Sequence, residues 1–394
     1  MALPTIQMLP DRHRRLRAGH PWAYSNELAL SAAAKALEPG SLVRLQAANG
    51  EPLGLASFNA RTLIAGRLLT RQSDAAIDVD FFAARLRAAL DLRARLFQRP
   101  FYRLVHAEAD RLPGLVVDRY GDVLVAQLNT AGMQRLEAPL VAALHTVLAP
   151  RAILLRNDSP ARALEGLESE VRLAHGELEE PVLIEENGTR FPVDLMGGQK
   201  TGWFFDQRDN RAAVAAVARG AELLDLFTYA GGFAIQAARA GARAVTMLDR
   251  SKPALARAME AARLNAVADI CQTVAEDALA AAERMAGEGK RFDLVVADPP
   301  AFVKSKKDLG VGLRAYRKLA RDAAQLVRPG GFLFLASCSH NVEPAAFAEE
   351  VSHGLSAARR SGRILRQAGA AADHPVHPFL PESAYLKALL LQLD

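Results

Sequence analysis

The spacing of apolar residues divides the chain into three stretches of different character. In residues 1–72 short alternating runs dominate: Ser41-Leu-Val-Arg-Leu45, Leu53-Gly-Leu-Ala-Ser-Phe58 and Thr62–Leu69, with Asn49-Gly50 as a hairpin turn. Alternation of period two turns one face of each strand inward and predicts a small β domain. In residues 73–185 the period mixes. Asp80–Arg99 carries Phe82, Leu86, Leu90, Leu92 and Leu96 as the apolar face of a helix. Tyr102–Asp118 reads as strand, turn, strand; Val123–Leu128 and Ile153–Asn157 are further strands around a helix at Gln134–Leu148. This is the pattern of a small α+β domain. Val182–Asp194 is a hairpin across Asn187-Gly188, and residues 186–394 then alternate short buried strands with amphipathic or Ala-rich helices. The expected fold class is α/β, with a Rossmann-like C-terminal domain behind the two smaller ones.

The organising stretch of that last domain is Glu222-Leu-Leu-Asp-Leu-Phe-Thr-Tyr-Ala-Gly-Gly-Phe-Ala-Ile235, running on to Met247-Leu-Asp-Arg250. Leu223–Phe227 is a strand with Asp225 inside it. Gly231 and Gly232 let backbone come close to a ligand, Ala234–Arg239 is helical, and Ala244–Leu248 is a second strand ending in Asp249. An acid at that position is placed to bond a ribose hydroxyl. The glycine spacing is neither G-x-G-x-x-G nor a Walker motif, so no pyrophosphate cradle is expected. A nucleoside ligand without a pyrophosphate fits better, with S-adenosylmethionine the leading candidate.

Composition narrows the class. The 394 residues are 50% hydrophobic and 24% charged, which suits a soluble multidomain protein. No apolar run approaches bilayer length, and the N-terminus lacks the basic and apolar regions of a secretory signal, so no membrane association is expected. The two cysteines, Cys271 and Cys338, form no disulfide framework or clustered metal site, and a cytoplasmic location is expected. The net charge of +5 is unevenly spread. Asp11-Arg-His-Arg-Arg-Leu-Arg17 opens the chain, and Arg85, Arg87, Arg93, Arg95, Arg99 and Arg103 crowd one helical region. Such patches suit RNA, with Arg14, Arg15 and Lys304 as candidate contacts; solvated helix faces account for them equally well. Trp22 and Tyr24 could stack bases or plug the β domain. His106, Glu108 and Asp110 at alternate positions suit a domain joint or solvent better than a metal. The dense polar and aromatic run Gly197–Arg211 suits a ligand lid.

Further acids fall at the ends of successive predicted strands. Asp249 would hold a ribose diol, and Asp277, in Ala275-Glu-Asp-Ala278, would lie beside an adenine amino group. Phe292–Ala297 runs straight into Asp298-Pro-Pro-Ala-Phe302, where Pro299 and Pro300 stiffen the acid at the tip. Such a turn grips a base beside the methyl donor in amino methyltransferases. Phe332–Ala336 ends in Ser337-Cys-Ser-His340, which places Cys338 at the same edge, where a nucleophile stands. A thiolate has one reaction in particular to serve: carbon 5 of cytosine is a poor nucleophile until a thiol adds at carbon 6. Cys271 has no such setting and reads as structural.

Together these motifs resemble the PUA-domain class I methyltransferases of bacterial large-subunit ribosomal RNA, the RlmI-like cytosine-C5 family. The resemblance rests on His20-Pro-Trp22 with Ser25-Asn26, Leu112-Pro-Gly-Leu-Val-Val-Asp118, Gly198-Gln-Lys-Thr-Gly202 and Asp206-Gln-Arg208. Phe227-Thr-Tyr-Ala-Gly-Gly-Phe233, Asp298-Pro-Pro-Ala-Phe302, Ser337-Cys-Ser339 and Asp373-His-Pro-Val376 complete it. It implies an N-terminal PUA-like β-barrel (1–72) for RNA binding, a central α+β domain (73–185) and a C-terminal class I methyltransferase domain (186–394). It makes Cys338 the nucleophile at carbon 6 and has Asp298 bond the cytosine near N3. Asp225, Phe227, Thr228, Tyr229, Gly231, Gly232, Asp249, Asp277 and Asp298 would bind S-adenosylmethionine, with Gln207 closing over it. Arg14, Arg15, Trp22 and Lys304 would contact the RNA. No metal is implied, and a homodimer is compatible with the pattern. A related group carries a cysteine beside the Asp-Pro turn for product release; here Pro300-Ala301 stand there, leaving His340 as a candidate for the base. Amino methylation of an RNA base and non-catalytic RNA binding are the alternatives.

Overall fold

The computed structural model describes residues 3–394, which form two compact units. One runs to Val182 and takes in Asp194–Trp203 and Ala372–Pro381; the other comprises Leu183–Val193, Phe204–Ala371 and Glu382–Asp394. The run read as a lid, Gly197–Arg211, is therefore divided between them.

The first unit holds two five-stranded sheets. The N-terminal sheet orders its strands Thr5–Gln7, Ser41–Gln46, Pro52–Phe58, Gly66–Thr70 and Trp22–Ala23. The hairpin across Asn49-Gly50 is present. The strand expected over Thr62–Leu69 starts only at Gly66, because the Thr62 hydroxyl donates to Asn59 O and Ile64 O (3.1 and 2.9 Å) and curls that segment into a turn. The second sheet runs Glu170–Gly176, Ala152–Asn157, Val123–Leu128, Leu115–Tyr120 and Phe101–His106. It is antiparallel except where Val123–Leu128 pairs with Ala152–Asn157 across the helix Glu137–Leu148.

Helix Val79–Leu96 covers this sheet with Phe81, Phe82, Leu86 and Ala89, and the stripe continues not to Leu92 or Leu96 but to Arg93. Leu92 and Leu96, expected inward, are exposed, while Arg93 is fully buried. Its guanidinium makes a bidentate pair with Asp110 (2.6 and 2.8 Å) and donates to Asp373 O. Arg103 is likewise paired with Asp118, at 2.7 and 2.9 Å. Arg85 is held by Leu69 O. Half of the arginine crowd is thus engaged by the fold, and the guanidiniums of Arg93 and Arg103 are matched by carboxylates.

The second unit is built on seven strands. In chain order these are β1 (Glu222–Leu226), β2 (Ala244–Asp249), β3 (Cys271–Ala275), β4 (Phe292–Ala297), β5 (Val327–Ser337), β6 (Gly362–Ala368) and β7 (Lys387–Leu393). They are connected by α1 (Gly232–Arg239), α2 (Lys252–Leu264), α3 (Ala278–Gly287), α4 (Leu309–Leu326) and α5 (Pro344–Ala357). Their spatial order is β3-β2-β1-β4-β5-β7-β6, with β1 to β5 parallel and β7 antiparallel to both neighbours. The order reverses between β1 and β4, which opens a crevice at the C-terminal ends of these strands. The runs read as buried strands are buried on both faces, as parallel strands between helix layers must be. A hairpin of Val182–Glu186 and Thr189–Val193 precedes them. Asn187 and Gly188 have φ of 52° and 72°, the two positive values that a type I′ turn requires. No helix among the described residues is long and apolar enough to cross a membrane.

Candidate active site at the strand ends

The parallel register sets out the site. Leu226 pairs with Leu248 on one side and Ala297 on the other, and Ala297 pairs with Leu335. Phe227, Asp249, Asp298 and Cys338 therefore leave adjacent strands at one edge of the sheet.

The turn after β1 is strained. Phe227 and Tyr229 have φ of 62° and 51°, and Gly231 follows at 81°. Left-handed backbone at bulky residues costs on the order of 1–3 kcal/mol each and persists only where surroundings enforce it. Asp225 provides part of that enforcement from below. It is buried, accepts the Thr228 hydroxyl at 2.6 Å, and is raised to about 7 by burial, against its bonds to Thr228 and the Ala234 N–H and with the charge of Asp298 adding to the rise. Thr228 N–H donates to Leu248 O, and Tyr229 N–H to Asp249 Oδ2 at 3.0 Å. Asp249 Oδ1 takes the Ser251 N–H at 2.8 Å, so this half-buried carboxylate is fixed at the tip of β2. The two glycines are required by packing as well. A Cβ on Gly231 would lie 3.0 Å from Ile235 and 3.1 Å from Ala258, and one on Gly232 would lie 2.6 Å from the Arg211 guanidinium. Arg211 is itself paired with the buried Glu186 at 2.8 Å, which also binds Gln236.

Asp277 is exposed and caps α3, accepting the Leu279 and Ala280 N–H groups at 3.1 Å. Gln207 is buried in a short turn of helix, and its Oε1 accepts from Asn210 at 2.7 Å. Both are brought into the same unit as the strand tips.

On the other side of β1, the Asp298-Pro-Pro turn and the Ser337-Cys-Ser strand end are tied together by a residue that sequence reasoning passed over. Tyr316, buried in α4, shares its hydroxyl with Ser337 Oγ and Ser339 Oγ, both at 2.8 Å. Ser339 Oγ in turn accepts the Val303 N–H at 3.2 Å. Burial raises the Tyr316 phenol, opposed by its two serine bonds, with Cys338 adding to the rise. Cys338 is half-buried between two fully buried serines. The other cysteine, Cys271, starts β3, and burial pushes its thiol up to about 11. His340 stands exposed with its ring stacked on Tyr385, centroids 5.1 Å apart, and the Tyr385 hydroxyl donates to Asp206 at 2.5 Å.

Of the candidate RNA contacts, Arg14, Arg15 and Trp22 belong to the first unit and Lys304 to the second. Arg14 is exposed and paired with the equally exposed Asp11 at 2.7 Å. Arg15 bonds Glu27 at 2.7 Å and lies over the Tyr24 ring. Trp22 donates from its indole to Glu108 at 2.7 Å, and Arg67 joins Glu108 to Glu165. Glu108 thus serves a joint within the first unit, and Asp110 is engaged with Arg93. No cluster suited to a metal ion occurs among the described residues. Lys304 is exposed, followed by exposed Lys306 and Lys307 in the loop after the Pro-Pro turn.

A family model described as S-adenosylmethionine-dependent methyltransferase matches residues 148–392, and one for a PUA-like domain matches residues 6–71. The chain belongs to the S-adenosylmethionine-dependent methyltransferases. S-adenosylmethionine is the methyl donor of this family; the methyltransferase match takes in the seven-stranded α/β sheet, and the PUA-like match takes in the N-terminal five-stranded sheet. Among curated relatives, "Ribosomal RNA large subunit methyltransferase I" of Shewanella denitrificans is 37% identical over 98% of this chain and 99% of its own length. The protein of the same name from Aeromonas salmonicida is 36% identical over 98% of both. Among solved structures, a putative S-adenosylmethionine-dependent methyltransferase from Streptococcus mutans superposes with a TM-score of 0.83 at 22% identity, covering 99% of this chain and 100% of that one. A putative methyltransferase complexed with SAH superposes at 0.84 and 22% identity over the whole of both chains. At that identity the two structures show the shared fold. The residues at the strand tips fit the donor: a fixed carboxylate on β2 suits a ribose, and a strained turn against the head of α1 suits a nucleoside without phosphates.

Proposed function

We propose that this protein methylates carbon 5 of a cytosine in large-subunit ribosomal RNA through a covalent bond between Cys338 and carbon 6. The observation that carries the reading is the pairing of β4 with β5, which leaves Asp298 and Cys338 at neighbouring strand ends, with Tyr316 bonding the serines on either side of Cys338. The RNA substrate is supported by the names of the full-length relatives.

S-adenosylmethionine, when bound, supplies an electrophilic methyl group on its sulfonium. Asp249, Asp277, Gln207 and the turn Phe227–Gly232, shaped by Asp225, hold it at the edge formed by β1 to β3. Asp298 hydrogen-bonds the cytosine near N3 and orients the ring. The Cys338 thiolate adds its sulfur electron pair to carbon 6, and the electrons of the 5,6 double bond move toward carbon 5, which becomes the methyl acceptor. Loss of the carbon 5 proton to a base then restores the double bond and expels the thiolate, leaving Cys338 unchanged. His340 is the candidate base; the sequence positions after Asp298-Pro299, where a related group carries a second cysteine, are Pro300 and Ala301. The target base must leave its stack to present carbons 5 and 6.

Ribosomal RNA fragments carrying 5-fluorocytosine test the covalent step. Fluorine cannot leave as a cation, so the wild-type chain with S-adenosylmethionine should form an adduct stable to denaturing electrophoresis, and Cys338→Ala should form none. Full methylation by Cys338→Ala would sink the mechanism and favour amino methylation. Mapping methylated cytosines in ribosomal RNA from cells with and without the protein assigns the nucleotide. Arg14, Arg15, Trp22 and Lys304 contact RNA in this reading. Replacing Lys304 and Arg14 by Gln should weaken RNA binding and flatten its dependence on salt, while donor affinity stays the same.

A further inference from the structure

Lys387 opens β7 at the head of an otherwise apolar run, Lys387-Ala-Leu-Leu-Leu391, directly opposite Ser337 at the end of β5. It is only 5% exposed. Its ammonium reaches back over the strand end and donates to Ser339 O at 2.5 Å and Tyr385 O at 2.8 Å. Both acceptors are neutral carbonyls. A buried ammonium with carbonyl partners alone is costly, so its position calls for a counter-charge. Burial lowers Lys387 to about 8; the charges working the other way are Cys338 first and Glu343 second.

We propose that Lys387 is the positive charge that keeps Cys338 as a thiolate, a positioning residue acting through the nucleophile. This rests on the reading of Cys338 given above. The thiol proton leaves to solvent; Lys387 keeps its own proton and stabilises the anion left behind. The other ionisable groups at this end of the sheet do not take that part. Tyr316 on α4 engages two serines through its hydroxyl, and Glu343 at the head of α5 and Asp298 after β4 are acids, which cannot supply a positive charge. Tyr385 is bonded to Asp206, and His340, stacked on Tyr385, is exposed, where solvent screens its charge. With Lys387 titrating at about 8, the positive charge is present at neutral pH and is lost as pH rises through that value. An opposite charge close to a thiol lowers its midpoint by a unit or more.

The experiment is the pH–rate profile of Cys338 alkylation by iodoacetamide, read by mass spectrometry on the full-length chain without RNA. The wild type should titrate below the ordinary thiol value of about 8.5. Lys387→Met should move the midpoint up by at least about one unit, so that alkylation at pH 7 slows roughly tenfold while the high-pH plateau is unchanged. Lys387→Arg should keep the low midpoint. Cys271, remote in setting, reports on intactness and should not change. A wild-type midpoint at or above the ordinary value, or superimposable wild-type and Lys387→Met profiles, would overturn the proposal. If Lys387→Met loses donor binding and so its fold, the wild-type and Lys387→Arg profiles decide. The fluorocytosine adduct is a separate readout: a shifted thiol without an adduct leaves the ion pair standing and removes the nucleophile, and an adduct with an unshifted thiol does the reverse.

Discussion

The two edges of the seven-stranded sheet treat charge in opposite ways. At the edge where the parallel strands begin, Glu222 of β1 and Asp293 of β4 face Arg243 and Arg328, with oxygens and nitrogens 2.8–3.1 Å apart. Burial works against Asp293, yet the Glu222 N–H and the two guanidiniums hold it down at about 2. These four charges each meet an opposite one and form a closed cluster. At the edge where the strands end, acids and a thiol collect beside a strained turn: Asp225 pushed up to about 7, Asp249 and Asp298 half-buried at the tips, Cys338 next to a buried lysine. One edge is neutralised by the protein. The other gathers perturbed groups around a strained turn, the arrangement in which ligand sites form.

The contrast can be broken most strongly at Asp249. Asp249→Ala removes the carboxylate from β2 and with it the bonds to Tyr229 and Ser251, so donor affinity should fall by roughly ten- to a hundredfold, the worth of hydrogen bonds to a charged group. Calorimetric titration with S-adenosylmethionine checks this, and an unchanged Kd would remove Asp249 from the donor site. Next is Tyr316→Phe, which deletes the hydroxyl joining the two halves of the acceptor side. Methyl transfer should drop about tenfold, as expected for about 1–1.5 kcal/mol of positioning, with donor affinity preserved. Equal losses in both would mean that Tyr316 serves only the core.

Asp225→Asn sharpens the comparison through pH. The folded-state value is raised above the ordinary aspartate value, so the carboxyl favours folding in its protonated form at low pH, and that contribution is lost as pH rises through about 7. The Tm of Asp225→Asn relative to wild type should therefore climb from pH 5 to pH 8. A flat difference would place the ionised form comfortably in the fold. The smallest effect belongs to the opposite edge. Asp293→Asn should leave donor affinity and turnover unchanged and alter stability by less than about 1 kcal/mol at pH 7, since its partners are largely exposed. Asp293 is depressed, so its contribution is present above about 4 and lost as pH falls toward 2; acid unfolding of the variant should lose that limb.

Much of this was legible along the chain. The strand–turn–helix–strand from Glu222 to Asp249, the hairpin at Asn187-Gly188 and the ends of β4 and β5 follow from apolar runs and from turn residues that act locally. Three features were not. Arg93 reads as one more solvated arginine, because the chain does not announce that Asp110 lies within reach. Leu92 and Leu96 fit a helical period but fall off the stripe that the sheet covers. Tyr316 and Lys387 sit in a helix and a strand with no motif around them, although a lone lysine heading a run of leucines was a signal that its charge needed a partner.

The sequence by itself determined which residues stand at strand tips, since burial of a parallel strand demands a largely apolar run and the glycine, proline and polar turn that follows marks its end. Only the tertiary structure decided which tips are neighbours and what each tip is held by. The order β3-β2-β1-β4-β5-β7-β6 brings Cys338 beside Asp298 and returns Lys387 to the same edge. Strand order and antiparallel return depend on pairings between segments far apart in the chain, and local preference carries no information about them.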